Sequence, residues 1–150
     1  TYTGGGIYFA GVPVMGSVSL QGRSSHAGAT VTLTKDGAVV GTATTESSGA
    51  YTFGSIPAGN YTLKITMPGY LSYTKTTLTV EGETSILAET LLGGDINGDT
   101  QVTIKDLSSL LANYGQVTSD ADDINGDTQV TIKDLSVLLA NYGVGAIVND

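Results

Sequence analysis

The chain has 150 residues, with six lysine and arginine side chains against 14 aspartates and glutamates, a formal net charge of −8 and no cysteine. The excess is uneven, because residues 1–94 carry five acidic and four basic side chains whereas residues 95–150 carry nine acidic and two basic ones. This balance argues against nucleic acid, which selects basic patches, and no apolar run approaches the ~20 residues that cross a bilayer. The uneven charge favours two small domains, and the lack of cysteine excludes disulfides.

The composition also bears on location. Abundant Thr, Ser and Gly with little Lys is typical of a secreted, extracellular or cell-surface-associated protein. The first residue is Thr1 rather than Met, which suggests a processed or excised fragment, so targeting information is expected elsewhere in the natural protein.

The first part of the chain has the pattern of a β protein. Residues 1–15 form a leading segment, glycine-rich and then apolar, which is either an early strand or the end of a linker. From residue 16 to 92, short runs rich in Val, Thr, Tyr and Ile alternate with turn residues, and residues 29–34 and 61–65 alternate apolar and polar side chains. We predict an Ig-like β-sandwich of about seven strands, at residues 16–22, 29–34, 38–44, 50–53, 61–67, 72–79 and 85–91.

Two motifs in this region carry a family resemblance. Gly49-Ala50-Tyr51-Thr52-Phe53, followed by Ile56-Pro57-Ala58-Gly59-Asn60-Tyr61-Thr62-Leu63, resembles the carboxypeptidase regulatory-like sandwich. The resemblance covers residues 16–92 and implies a fold but little about function, since such modules serve as spacers, stabilisers and binding platforms. His26, in the polar run Arg23-Ser24-Ser25-His26, is predicted to lie in a surface loop.

A segment of 21 residues, at 95–115, recurs at 123–143 and differs only at Ser109 against Val137. Each copy begins with carboxylates and amides at positions 1, 3, 5 and 12 of a twelve-residue loop, which is the ligand spacing of a calcium loop. We therefore predict two Ca²⁺ ions, without which the loops should repel themselves open. The side-chain ligands are Asp95, Asn97, Asp99 and Asp106 in the first copy, and Asp123, Asn125, Asp127 and Asp134 in the second.

Each loop is followed by a predicted helix. In the first copy Thr103 is placed to cap it, Asp106 follows three residues later, and Gly115 is a left-handed terminator. Val102 and Val130 are predicted to join the two loops directly through a short β-type contact. The apolar residues fall within an arc of about 120°, which predicts one inward-facing stripe. This stripe contains Ile104, Leu107, Leu110, Leu111 and Tyr114, and in the second copy Ile132, Leu135, Leu138, Leu139 and Tyr142.

The repeats depart from an ordinary EF-hand. Leu91-Leu92-Gly93-Gly94 leave no room for a helix entering the first loop, and Thr100 and Thr128 stand where an EF-hand has glycine. With the trailing Leu-Leu-Ala-Asn-Tyr-Gly, the repeats resemble a dockerin, the calcium-binding module that binds cohesin domains in cellulosomes and related extracellular complexes. The resemblance covers residues 94–143 and implies a small all-α domain at residues 93–150, with the preceding sandwich similar to the X-module of module–dockerin pairs.

The dockerin resemblance also implies residue roles. The backbone carbonyls of Gln101 and Gln129 would bind the ions, and Thr103 and Thr131 would lie beside bound waters. For the apolar members of the partner-binding set, the alternative is simple core packing. The set is Ile104, Lys105, Leu111 and Ala112, with Ile132, Lys133, Leu139 and Ala140 in the second copy.

The function predicted from the sequence is calcium-dependent docking to a cohesin of a scaffoldin or cell-surface anchoring protein, in an extracellular polysaccharide-degrading assembly. The sandwich is expected to pack against the dockerin and stabilise it. An enzyme is not expected, because the chain has no cysteine and one histidine, and the calcium loops use the paired carboxylates. Two alternatives are a carbohydrate-binding module with structural calcium, using Tyr51, Tyr61, Tyr70 and Tyr73 as a stacking platform, and an EF-hand-like calcium sensor.

Overall fold

The computed structural model describes residues 11–86, 88–118 and 120–149. Within these residues, nine strands form the first part and two helices follow in the second. The strands are β1 (Val12–Leu20), β2 (Thr30–Lys35), β3 (Ala38–Thr44), β4 (Ala50–Ile56), β5 (Gly59–Thr66), β6 (Gly69–Tyr70), β7 (Tyr73–Val80), β8 (Thr84–Ser85) and β9 (Glu89–Leu91). The later elements are β10 (Gly93–Asp95), α1 (Ile104–Ala112), α2 (Ile132–Ala140) and β11 (Ile147–Asn149).

Two sheets enclose an apolar core, and we call β1–β9 the sandwich. One sheet has the order β4-β1-β8, with β9 also on β1, and the other has the order β11-β7-β5-β2-β3. Alternation explains the facing of β2, where Val31 and Leu33 are fully buried between the sheets while Thr30, Thr32 and Thr34 are only partly covered. The Ig-like sandwich predicted from the sequence is confirmed.

The strands with clear alternation lie close to their predicted positions, and the differences concern the ends of the sandwich. β1 begins at Val12, inside the leading segment, whose residues 1–10 lie outside the described part of the chain. The single strand predicted at residues 85–91 is two short strands, β8 and β9, which both pair parallel with β1. The short strands β6, β10 and β11 were not predicted.

The repeat half, residues 93–149, is tied to the sandwich at both of its ends. At its beginning β10 pairs antiparallel with β6, and at its end β11 pairs parallel with β7, with Ile147 opposite Tyr73. Gly93 allows the close approach, because a Cβ there would lie 2.6 Å from Cγ2 of Ile124 and 2.8 Å from Cγ1 of Val137. The buried apolar residues of the repeats therefore continue the sandwich core, and they are Val102, Leu110, Ile124, Val130 and Leu138.

Candidate calcium loops and exposed helix faces

The first loop, residues 95–106, brings three carboxylates together. Asp95, Asp99 and Asp106 each place an oxygen within 4.8 Å of the others, and Asp95 and Asp106 are buried. Three like charges this close, two of them buried, need a counter-charge. Calcium, which takes six to eight oxygen ligands and accepts carboxylates readily, fits this donor set. The second loop, residues 123–134, repeats the cluster and its burial with Asp123, Asp127 and Asp134.

The carboxylates also organise the loop backbone. Asp95 accepts hydrogen bonds from the amides of Asp99 and Thr100, at 3.1 and 3.0 Å. Asp106 accepts from the amides of Asn97 and Thr103, at 3.0 and 2.8 Å. Each carboxylate thus holds two points of the loop while it faces the centre of the cluster. The second loop has the same four bonds, from residues 127 and 128 to Asp123 and from residues 125 and 131 to Asp134.

The acids in each loop differ in how readily they ionise. Burial raises the pKa of Asp95 and of Asp123, since the charged form loses solvation. The exposed Asp99 and Asp127 have lowered pKa values, because each accepts a hydrogen bond from a backbone amide, of Gln101 and Gln129 respectively. Asp95 and Asp123 therefore resist ionisation in the absence of a cation, and a divalent ion would remove that cost.

The other predicted ligands lie in the same loops. The Asn97 amide nitrogen donates to Asp99 Oδ2 at 3.2 Å, and Asn125 makes the same contact with Asp127. Gln101 and Gln129 have exposed side chains and lie in isolated β-bridges, opposite Gly145 and Val117 respectively. The structure thus brings the predicted side-chain ligands together, while the ligand role of the glutamine carbonyls stays a prediction.

Each loop turns at a threonine in a conformation that favours glycine. Thr100 has a φ of 74° and Thr128 a φ of 70°. The left-handed region costs a β-branched residue about 1–2 kcal/mol, so the surrounding contacts must hold the turn. The Thr100 amide donates to Asp95, and its carbonyl accepts from the amide of Ala146 at 2.8 Å. The Thr128 carbonyl accepts from the amide of Thr118 at 2.9 Å in the corresponding contact.

The predicted direct contact between the two loops through Val102 and Val130 is wrong. The Val102 amide donates to the carbonyl of Val144, and its carbonyl accepts from the amide of Gly143, at 3.0 and 2.8 Å. Val130 makes the same pair of bonds with residues 115 and 116. Each loop therefore pairs with the segment that follows the helix of the other repeat, an arrangement we call cross-pairing.

The predicted helix starts are correct, whereas each helix ends at a C-cap asparagine, Asn113 or Asn141, two residues before the glycine predicted to terminate it. Thr103 is the N-cap of α1, its hydroxyl accepts from the Lys105 amide at 3.3 Å, and the Asp106 side chain completes the capping box. Thr131 and Asp134 cap α2 in the same way, and Gly115 and Gly143 take φ values of 85° and 87°. Asp106 and Asp134 thus serve both the acid cluster and the start of the helix.

The predicted single inward stripe is wrong for three of its five residues in each repeat, and one of the three, the tyrosine, lies beyond the end of the helix. Leu110 and Leu138 are fully buried, and Leu107 and Leu135 are half-buried. The buried strip of each short helix is narrower than the 120° arc over which its apolar residues are spread. The exposed fractions are 58% for Ile104, 51% for Leu111 and 45% for Tyr114, against 58% for Ile132, 51% for Leu139 and 47% for Tyr142.

The predicted partner-binding residues are all exposed, so their apolar members are not core residues. We call Ile104, Lys105, Leu111 and Ala112 the first helix face. We call Ile132, Lys133, Leu139 and Ala140 the second helix face. The repeats therefore present the same apolar surface twice.

Sequence reasoning missed the sandwich residues that contact the repeats. Arg23, for which no role was predicted, donates to the carbonyl of Ile124 at 2.8 Å. The contact spans 101 residues and has no local signal in the sequence. His26 is half-buried, and its Nδ1 accepts from the Leu20 amide at 2.9 Å. The tyrosines of the suggested stacking platform are all buried, and they are Tyr51, Tyr61, Tyr70 and Tyr73.

Fold and site together define an Ig-like module with two acidic loop–helix repeats packed against it. Residues 13–91 match the carboxypeptidase regulatory-like domain, and because this is more than half of the chain, the chain belongs to that family. No curated protein matches the chain. None of the described helices has the length and apolar character needed to span a membrane.

Two solved structures share the fold of nearly the whole chain. Both are crystal structures of a type II cohesin-X-dockerin complex from Acetivibrio cellulolyticus. The N-terminal interface mutant has a TM-score of 0.76 and 20% identity, covering 91% of this chain and 98% of that chain. The C-terminal interface mutant has a TM-score of 0.77 and 21% identity, with the same coverage. The likeness shows a shared fold that includes the X-module.

Proposed function

We propose that the chain is a calcium-dependent docking module. Residues 95–143 bind two Ca²⁺ ions and then a cohesin domain, and so attach their protein to an extracellular, cellulosome-type assembly that degrades polysaccharides. The observation that carries the proposal is the coincidence, in each repeat, of a buried carboxylate cluster with an exposed apolar helix face.

The carboxylate clusters support calcium dependence. In the proposed sites the two sets of aspartate and asparagine side chains bind the ions, together with the carbonyls of Gln101 and Gln129 and waters beside Thr103 and Thr131. Calcium supplies the counter-charge that lets the buried acids remain ionised. Because Asp106 also completes the capping box of α1, closure of the first loop and the start of the helix depend on one carboxylate. Metal binding should therefore order the helix that carries the docking face.

The helix faces support a protein partner. Ile104 and Leu111 lie seven residues apart and are more than half exposed, which leaves apolar area on a surface that also carries Lys105. Such patches mark interaction sites on small proteins, where a few buried apolar anchors supply most of the affinity. Both of the similar solved structures are complexes that contain a cohesin.

The extent of the structural likeness supports a dockerin in particular. The aligned 91% of 150 residues is about 136, whereas the family match at residues 13–91 accounts for 79. Most of the repeat half must therefore lie within the aligned region. The sandwich, which pairs with both ends of the repeat half, is the supporting module in this proposal.

Calorimetry of the full chain against a type II cohesin tests the proposal. With calcium we expect saturable binding and helical circular dichroism, and both should be lost in EDTA. Asp95→Ala combined with Asp123→Ala should mimic chelation. The matched control, Glu81→Ala with Glu83→Ala, removes the same charge from exposed sandwich residues and should leave both signals unchanged. Full helicity and full affinity in EDTA would contradict the proposal.

A further inference from the structure

The two repeats have nearly the same sequence but different neighbours. In the first repeat, Asp122 accepts from the Ser109 hydroxyl at 2.9 Å and from the Asn113 side-chain amide at 2.7 Å. Asp122 is buried and directly precedes the second loop. The side chains of Ser109 and Asn113 therefore find their hydrogen-bond acceptor within the repeat half itself.

In the second repeat the sandwich supplies the acceptor that Asp122 supplies in the first. Asn141, the counterpart of Asn113, donates to Gln21 Oε1 at 2.6 Å and to the Gly93 carbonyl at 2.8 Å. Val137, the counterpart of Ser109, packs where Gly22 and Gly93 have no side chain. The one position at which the repeats differ is thus a position at which α2 contacts the sandwich, at Gly22.

Two further sandwich side chains hold the start of the second loop. Arg23 Nε donates to the Ile124 carbonyl at 2.8 Å, and its Nη2 donates to the Asp123 carbonyl at 3.3 Å. The Tyr70 hydroxyl lies 2.8 Å from the same Ile124 carbonyl and 2.6 Å from the Gln21 carbonyl. The guanidinium lies over the Tyr70 ring, with 5.7 Å between Cζ and the centroid. The backbone of Asp123 and Ile124, where the second loop begins, is therefore held by side chains that lie outside the loop.

The sandwich meets the first loop differently. Asp95 ends β10, and its partner across the ladder is Gly69 in β6, so main-chain pairing positions it. Lys64 is the cationic side chain that lines a cavity of about 400 Å³ beside this loop, together with Asp95 and Thr100. One loop is thus held by backbone pairing and the other by a planar, doubly donating guanidinium.

We propose that the sandwich helps to position the backbone of the second calcium site. Arg23, held over Tyr70, is a positioning residue for residues 123–124, and two loops with the same twelve residues consequently bind calcium with different affinities. This inference rests on the proposed calcium binding. The guanidinium charge itself repels a bound cation, but its donors point at main-chain carbonyls, so positioning outweighs repulsion. Partners that orient metal ligands from outside typically change metal affinity 10–100-fold.

Site-resolved calcium titration of the full chain tests the inference. The amides of Gly98 and Gly126, at the same position of the two loops, report each site separately in ¹⁵N NMR, and a competing chelator brings the affinities into range. Arg23→Ala should weaken binding reported by Gly126 by about tenfold or more and leave binding reported by Gly98 within about twofold. Arg23→Gln should recover part of the loss, since its amide can still donate to Ile124.

Lys35→Ala is the matched control. Lys35 also lies over a sandwich tyrosine, with Nζ 5.4 Å from the Tyr61 centroid, and its loss changes the charge equally without touching either loop. We expect it to change neither affinity. If the two wild-type sites bind calcium with equal affinity and Arg23→Ala leaves both affinities unchanged, the inference is overturned. Tighter calcium binding in Arg23→Ala would also overturn it. If neither amide responds to calcium, the proposed function itself fails.

Discussion

The first and second repeats show what a short sequence determines and what its surroundings add. Their turns have φ values of 74° and 70°, both helices have the same capping box, and the leading isoleucines are both 58% exposed. Yet the first repeat closes on Asp122, which lies between the two repeats, and the second on Gln21 of the sandwich. Local sequence builds the loop–helix unit, whereas the neighbouring module decides how each unit is held.

The largest effect should come from disabling both helix faces. If the repeats bind a cohesin as proposed, exchanging the first helix face for the second presents nearly the same surface to it, because corresponding residues of the two faces are equally exposed. Ile104→Asp with Leu111→Asp should then cost little more than RT ln 2, about 0.4 kcal/mol, because the second face remains. Adding Ile132→Asp and Leu139→Asp should cost several kcal/mol, since either orientation buries an unpaired charge.

Calorimetry of the two single-face variants and the combined variant measures this difference. The single-face variants serve as each other's control, since they carry the same added charge. A loss of several kcal/mol from one of them and none from the other would show that the sandwich selects a single orientation.

The contacts that complete each helix should follow in size. Gln21→Ala leaves the Gly93 amide without its acceptor, and Asp122→Ala removes the acceptor of the Ser109 hydroxyl and one of the two acceptors of the Asn113 side-chain amide. Each should lower the free energy of unfolding in calcium by about 1–3 kcal/mol, the cost of buried groups left unpaired. Since the sites share no partner, the combined loss should be additive within about 0.5 kcal/mol by denaturant unfolding. Strong non-additivity would mean that the two contacts act as one network.

The single difference between the repeats should have a smaller effect. Val137→Ser removes apolar contact with residues 22 and 93 and places a hydroxyl there, so we expect a loss of about 1–2 kcal/mol of stability. Ser109→Ala is its counterpart in the first repeat and removes one hydrogen bond, with an expected loss of about 0.5–1 kcal/mol. The same unfolding experiment measures both, and equal losses would mean that the sandwich does not distinguish the residues.

The smallest effect concerns the pH dependence of the junction. Burial raises the pKa of Tyr70 to about 12, against 10.0 for the free side chain. The stability contributed by the neutral phenol is therefore present below pH 10 and is lost as the pH rises from 10 towards 12. Relative to the Tyr70→Phe variant, which has no phenol to titrate, the free energy of unfolding should fall by less than about 1 kcal/mol by pH 10.5. The pKa of Tyr51 is also raised to about 12, but this residue is common to both proteins and cancels in the comparison.

Local patterns were sufficient for the elements that depend on near neighbours. Alternation located β2 and β5, and the spacing of acids located both clusters and both N-caps. These features arise within about a dozen residues, so the sequence carries them directly. The carboxypeptidase regulatory-like motif in residues 49–63 also lies within a short stretch of sequence, and the fold that it predicts is confirmed.

What could not be predicted depends on distant partners. A two-residue strand such as β6 has no periodicity, and it exists because β10 pairs with it. The apolar arc of α1 did not reveal that Leu110 would be buried while Leu111 and Tyr114 are exposed, because the width of the contact is set by the neighbouring elements. Arg23 reads as a solvated residue until the chain folds back over it.

Cross-pairing also determines the order in which the protein can be completed during synthesis. The first loop is closed by bonds from residues 143, 144 and 146, which leave the ribosome well after the loop itself. The second loop, in contrast, receives its bonds from residues 115–118, which are made before it. The repeat that is translated first is therefore finished last. A chain that stops after α1 should yield no half-sized calcium module, because folding of the repeats becomes a single cooperative event that waits for residues 143–146.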